Sequence, residues 1–155
     1  MANFLTGKSL RQLEYGLQVL KTAQALPQTA TATLFTVTGG RVIVTSLIGT
    51  VSTAIQNQAC TLALGTVPTV GTASSTGIAT ATSIINLEAG THLYLPTAKG
   101  ALTVNANAGA AAQLPAGSAY VVSAGTISWT TSASNTGAIS WALTYIPLDD
   151  GAAVS

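Results

Sequence analysis

The one histidine in this 155-residue chain, His92, follows Glu88 by four positions, just beyond Gly90-Thr91. Nucleophilic catalysis needs such a base held beside a nucleophile and oriented by a third group. No Ser or Thr stands in a Gly-x-Ser-x-Gly elbow, so His92, which begins the run His-Leu-Tyr-Leu, reads as a surface or hydrogen-bonded strand residue. Acid–base work by paired carboxylates would draw on Glu14, Glu88, Asp149 and Asp150. Their only adjacent pair, Asp149-Asp150, points to opposite sides of an extended chain. Cys60 is the sole cysteine. It has no Cys or His at ligand spacing and no disulfide partner, and it reads as a core residue. Thr6-Gly7-Lys8-Ser9 resembles the end of a phosphate-binding loop, but Ala2 stands where the first motif glycine is needed and no nearby Asp could hold magnesium. Lys8 then reads as a solvated residue. The expectation is a chain that is not an enzyme, with no cofactor and no metal.

Charge is the strongest compositional signal. Only 6% of residues are charged, about a quarter of the ~25% usual in soluble domains. Phosphate binding needs clustered Lys and Arg. The five here are scattered from Lys8 to Lys99 for a net charge of +1, so a nucleic-acid partner is not expected. Two stretches, Val42 to Leu87 and Gly100 to Leu148, carry no formal charge. Both are interrupted by Gly, Pro, Thr, Ser, Asn or Gln, and neither holds the ~18 consecutive apolar residues of a helical membrane span. The opening residues lack a basic head followed by an apolar stretch of about 7 to 15 residues, so synthesis in the cytoplasm is the expectation.

The elements fall into two parts, residues 1–27 and 28–155. In the first, Leu10, Leu13, Leu17 and Leu20 recur at i, i+3, i+7 and i+10, one face of a helix. Ser9 with Gln12 has the capping-box pattern and Pro27 is a stop, so a helix or docking arm is predicted over Ser9 to Ala25. From Thr31 onward, short Thr, Val, Ile and Ala runs alternate with Gly, Pro and Asn, the pattern of an antiparallel all-β domain. Strands are expected near Thr33–Thr38, Arg41–Val51, Cys60–Gly65, Ile78–Asn86, His92–Pro96, Leu102–Ala106, Ala119–Ser123, Thr126–Ser132 and Ala138–Ile146. Eight or nine such strands without helical crossovers predict a jelly-roll-like β-sandwich or barrel.

Three local expectations follow. Gly39-Gly40 has the composition of a two-residue hairpin turn. Pro68 to Gly77 reads as an exposed loop. Thr126–Ser132 and Ala138–Tyr145, joined through Asn135-Thr136-Gly137, read as a hairpin with Trp129 facing Trp141 and Ile127 facing Leu143. One face of it carries Ile127, Trp129, Thr131, Ile139, Trp141, Leu143 and Tyr145. Arg41 to Ile48 is apolar on both sides, with Val42, Val44 and Ile48 opposite Ile43 and Leu47. It therefore reads as a central strand, or one at a subunit contact.

About a third of the chain is Ala plus Thr. Outward positions built from methyls and small hydroxyls carry no charge to desolvate and lose little side-chain entropy on contact. Exposed strand edges without charge invite aggregation of a free monomer. These features predict an obligate oligomer, a closed ring or trimer, since symmetry closes self-complementary surfaces.

Leu34–Val44 (Leu-Phe-Thr-Val-Thr-Gly-Gly-Arg-Val-Ile-Val), Ile48–Gln56 and Ser134–Leu148, behind a short N-terminal arm, resemble small virion proteins of tailed bacteriophages, above all capsid decoration (cement) proteins. The resemblance implies a β-rich homotrimer on the outside of the phage head. Its partner would be the major capsid protein, and the arm residues Leu10, Leu13, Leu17 and Leu20 would reach it. A second expectation is a receptor- or glycan-binding module of a tail fibre, with Trp129, Trp141, Tyr94 or Tyr120 as sugar platforms. A neck or tail accessory subunit is a third.

Overall fold

The computed structural model describes residues 12, 14–96, 100–104 and 119–155. Eleven strands form two antiparallel sheets: β1 Leu17–Ala25, β2 Thr31–Thr38, β3 Val42–Thr53, β4 Thr61–Pro68, β5 Ser74–Ser83, β6 His92–Tyr94, β7 Thr103–Val104, β8 Tyr120–Val122, β9 Gly125–Thr131, β10 Ala138–Pro147 and β11 Ala153–Val154. The first sheet has the order β1-β10-β3-β6-β7, with β8 also paired to β3, and the second the order β11-β2-β9-β4-β5. β1 pairs with β10, β2 with β9, β3 with β8 and β4 with β5, and the seams β10·β3 and β9·β4 join these nested pairs. A ribbon of nested strand pairs rolled up in this way is the jelly-roll connectivity, so the all-β sandwich expected from the sequence is present.

Two sheets form because strands such as β10 alternate inward apolar and outward small residues, while β4 is buried on both sides from Leu62 to Gly65. β10 (AISWALTYIP) buries Ile139, Trp141, Leu143 and Tyr145 and leaves Ser140, Ala142 and Thr144 partly exposed. β9 buries Ile127, Trp129 and Thr131 on the same period of two. Phe35, Leu47, Leu62 and Leu64 complete the centre at 1% exposure or less. Each such side chain contributes about 1.5–3 kcal/mol by leaving water.

The predicted helix over Ser9 to Ala25 is corrected. Residues 12, 14 and 15 are helical, with the Gly16 N–H donating to the Gln12 carbonyl at 3.0 Å, and the chain then turns through Gly16 at φ 96°. From Leu17 it is strand, registered Leu17↔Tyr145 to Ala25↔Ala138 with one bulge. Pairing with β10 satisfies the backbone that the helix would have satisfied internally, which shows tertiary context overriding a local pattern. A Cβ at Gly16 would run into the Tyr145 carbonyl, so the glycine is what lets the chain enter the sheet. Residues 17–25 therefore belong to the sandwich rather than to a separate arm.

Two predicted hairpins are corrected as well. Gly39 and Gly40 do take positive φ, 73° and 146°, but β2 and β3 lie in different sheets, so the diglycine is a corner between layers. β9 and β10 likewise part company at Asn135. Their aromatic faces meet through the core rather than along a ladder, because each strand finds partners in its own sheet. The exposed loop is shorter than expected: β4 runs through Pro68 and β5 starts at Ser74, leaving Val70 89% exposed between them.

β3 is central, as expected, between β10 on one side and β6 and β8 on the other. Its register against β10 slips between Thr144 and Tyr145, which makes Thr45 an extra residue. A bulge reverses the facing of everything beyond it. Val42, Val44 and Leu47 consequently point inward, while Ile43 and Ile48 stand on the outer face.

The two flanks are closed differently. On one, the Thr80 N–H donates to the Gly100 carbonyl at 2.9 Å and the Leu102 N–H to Thr82 Oγ1 at 2.7 Å, lacing the edge of β5. On the other, Lys21 of edge strand β1 turns inward and sets Nζ 6.0 Å from the centroid of the Phe35 ring in the opposite sheet. A charged side chain directed inward from an edge discourages strand addition.

Candidate functional site

Of the residues that could have carried catalysis, His92, Cys60 and Asp149 are dispersed and engaged, and Glu14, Glu88 and Asp150 are exposed. His92 Nδ1 lies 3.0 Å from Thr50 Oγ1 across the β3–β6 ladder. Cys60 is buried, with Sγ donating to the Ala133 carbonyl at 3.4 Å. Asp149 accepts from Arg41 three times: Oδ2 from the backbone N–H at 2.7 Å and from Nε at 2.9 Å, and Oδ1 from Nη2 at 2.7 Å. The Arg41 side-chain hydrogen bond, aided by its backbone N–H, lowers the Asp149 carboxyl from 3.8 to about 2. This clamp ties the Gly39-Gly40 corner to the segment after β10. Among the described residues no three His, Cys, Asp or Glu side chains gather as a metal site, and no helix is long and apolar enough to cross a membrane.

A different kind of site occupies the outer face of the first sheet. Cross-strand register sorts its outward residues into rows. Ile146, Ile43 and Val121 form one apolar row, and Leu20, Ala142, Ile48 and Tyr94 another. Between them run Gln18, Thr144 and Ser46. Beyond them come Ser140, Thr50 and His92, then Ala25, Ala138 and Thr53. No Lys, Arg, Asp or Glu lies in any of these rows. Leu20 is 64% exposed, Val121 63% and Ile146 40%, which is high for branched aliphatic side chains on one sheet face. Over Ala142, between β1 and β3, lies a shallow depression of about 180 Å³ lined by Leu20, Lys21, Thr22, Ile48, Thr50, Ser140 and Trp141.

The second sheet's outer face is different in chemistry. Its rows carry Thr31 with Thr130 and Thr36 with Thr126 and Val67, Thr31 and Thr130 share a 2.7 Å hydroxyl hydrogen bond, and Ser128, opposite Thr33, is buried at 2% exposure. One face of the sandwich carries two apolar rows among polar ones and the other is mostly hydroxyl. The charged residues within the described parts lie at loops, corners and an edge: Glu14, Lys21, Arg41, Glu88, Asp149 and Asp150.

Of the four residues expected to form an arm stripe, Leu10 and Leu13 lie outside the described residues. Leu17 and Leu20 fall on opposite faces of β1: Leu17 packs against the core and Leu20 stands outward. Of the expected sugar platforms, Trp129 and Trp141 are 3% and 1% exposed and belong to the core. Tyr120 packs against the core from the inner side, and Tyr94 sits in the outer apolar row. The apolar outer rows were only half visible in sequence. Ile43 and Ile48 signalled a strand covered on both sides, but the bulge at Thr45 and the strand state of Leu20 had no signature.

No protein-family model, curated protein or solved structure matches this chain.

Proposed function

We propose that this protein is a structural subunit that works by assembly, and in particular that it decorates the outside of a tailed-phage head as an oligomer, bound to the major capsid protein. The observation that supports assembly is the outer face of the first sheet, where two apolar rows lie among polar ones and none of the five described rows carries a charge. Such a surface gains by burial and asks no ion to give up its water. The jelly roll agrees with this reading, being common in viral capsid domains and also in lectins, although a fold alone does not assign function. Placement of both indoles in the core weighs against the glycan-binding alternative, which needs exposed aromatic faces.

The role is mechanical. Many copies bury apolar surface across junctions in a shell, and an oligomer gains further because one docked copy holds the others at high effective concentration. Co-sedimentation with phage heads stripped of decoration tests the reading. Saturable retention that survives 1 M salt is expected, since exposed ion pairs play little part and only those are screened. Failure to bind heads, or release between low and high salt, would overturn it.

A further inference from the structure

We infer that the outer face of the first sheet is covered by the same face of a second copy, in a two-fold contact whose axis runs parallel to the strands between β10 and β3. The inference rests on the assembly reading above and names the partner of its apolar face. An uncharged face offers nothing to select a charged partner, and a charge set against it would be left unpaired. The partner surface must be uncharged too, and this chain carries one.

The row order makes the face complementary to itself. A two-fold axis parallel to the strands preserves position along them and exchanges β10 with β3. Each row of one copy then meets the same row of the other, apolar on apolar and hydroxyl on hydroxyl. Ala142 and Ile48 are direct neighbours in register, so Ile48 of each copy falls on Ala142 of the other. Ala142 marks the depression between Leu20 and Ile48, and a large side chain entering over a small one is how packed layers interlock. The sixteen residues of these rows, on strands about 4.8 Å apart and about 6.7 Å apart along each strand, give roughly 500 Å² from each copy. The total, roughly 1,000 Å², stands at the lower bound of a biological interface, where close interlocking decides. A two-fold contact of this kind makes a dimer, not the trimer expected from composition.

Sedimentation velocity of the full chain at micromolar concentration tests the inference. The wild type is expected at twice the 15.4 kDa chain mass, unchanged in 1 M salt. Ile48→Lys and Ala142→Glu should each run at the single-chain mass with native near-ultraviolet circular dichroism, and their equimolar mixture should regain the dimer. In that mixture one junction pairs Lys with Glu and the other keeps the native Ala and Ile. Leu20→Lys, at an already exposed position, is a second disruptor that does not threaten the fold, and Thr130→Lys on the opposite face should leave the dimer intact.

A wild-type monomer, a trimer, or a dimer indifferent to Leu20→Lys would overturn the inference. So would face variants that keep the wild-type mass but lose retention on phage heads, since they would assign this face to the shell. Heads that fail to retain a chain that still dimerises would instead overturn the decoration role and leave the contact standing.

Discussion

Trp129 of β9 and Trp141 of β10 meet edge to face in the core, ring centroids 5.9 Å apart and planes at 85°, although their strands belong to opposite sheets. The pair bridges the two layers. Substituting either indole by Ala should cost about 3–5 kcal/mol through the cavity it leaves. A double-mutant cycle should return a coupling of about 0.5–1.5 kcal/mol, measured by urea unfolding; no coupling would mean that the rings merely share space. Both indoles should emit at short wavelength, resist aqueous quenchers and ignore added saccharides.

Gly49 lies directly opposite Trp141 in the β3–β10 ladder. A Cβ there would come within 2.9 Å of Trp141 Cζ3 and 3.0 Å of Cη2, so the missing side chain is the space the indole occupies. Gly49→Ala should destabilise the chain by about 1–3 kcal/mol as an overpacked core does, and should shift the Trp circular dichroism. An unchanged unfolding midpoint would contradict this packing.

The Arg41–Asp149 clamp makes stability depend on acid. Because the Asp149 carboxyl is held at about 2 in the folded chain against an ordinary 3.8, its contribution is complete above the ordinary value and disappears as pH falls through the folded one. Asp149→Asn should lower the melting temperature slightly at neutral pH, and the difference from wild type should close between pH 4 and about 2. A difference that is constant across this window would show that the ion pair contributes nothing.

Deleting residues 1–11 tests whether the N-terminal segment reaches the shell: loss of retention on heads is expected, and full retention would overturn that role. Deleting residues 1–27 removes β1 and opens the flank of β10, including Ile139 and Leu143, so no cooperative melt is expected. A folded product of the longer deletion would show that β1 is dispensable.

All nine strands expected from sequence are present, because Thr, Val and Ile runs bounded by Gly and Pro are a local signal. The pairing was not legible. Gly39-Gly40 and Asn135-Thr136-Gly137 have the composition of hairpin turns, and only the competition among strands decides whether such a segment joins neighbours or crosses layers. The inward set on β9 and β10 was read correctly because a period of two survives either arrangement. On β3 it failed for Leu47 and Ile48, since one extra residue at Thr45 reverses facing and nothing in the run marks it. The leucine spacing from Leu10 to Leu20 was a helical pattern without a helix to use it beyond Gly16. The outer face was legible only as a strand apolar on both sides, because the bulge at Thr45 brings Ile48 to the face of Ile43 and Leu20, Ala142 and Val121 become neighbours only through long-range register.

The pairing of Leu17 with Tyr145 has a consequence for synthesis. β1 leaves the ribosome first but has no partner until β10, the last long strand, has followed it out. During translation its backbone bonds to water rather than to a partner strand, and closure of the first sheet waits on contacts distant in sequence. The yield of such a chain in a cell should respond to chaperone supply more sharply than its final stability would suggest.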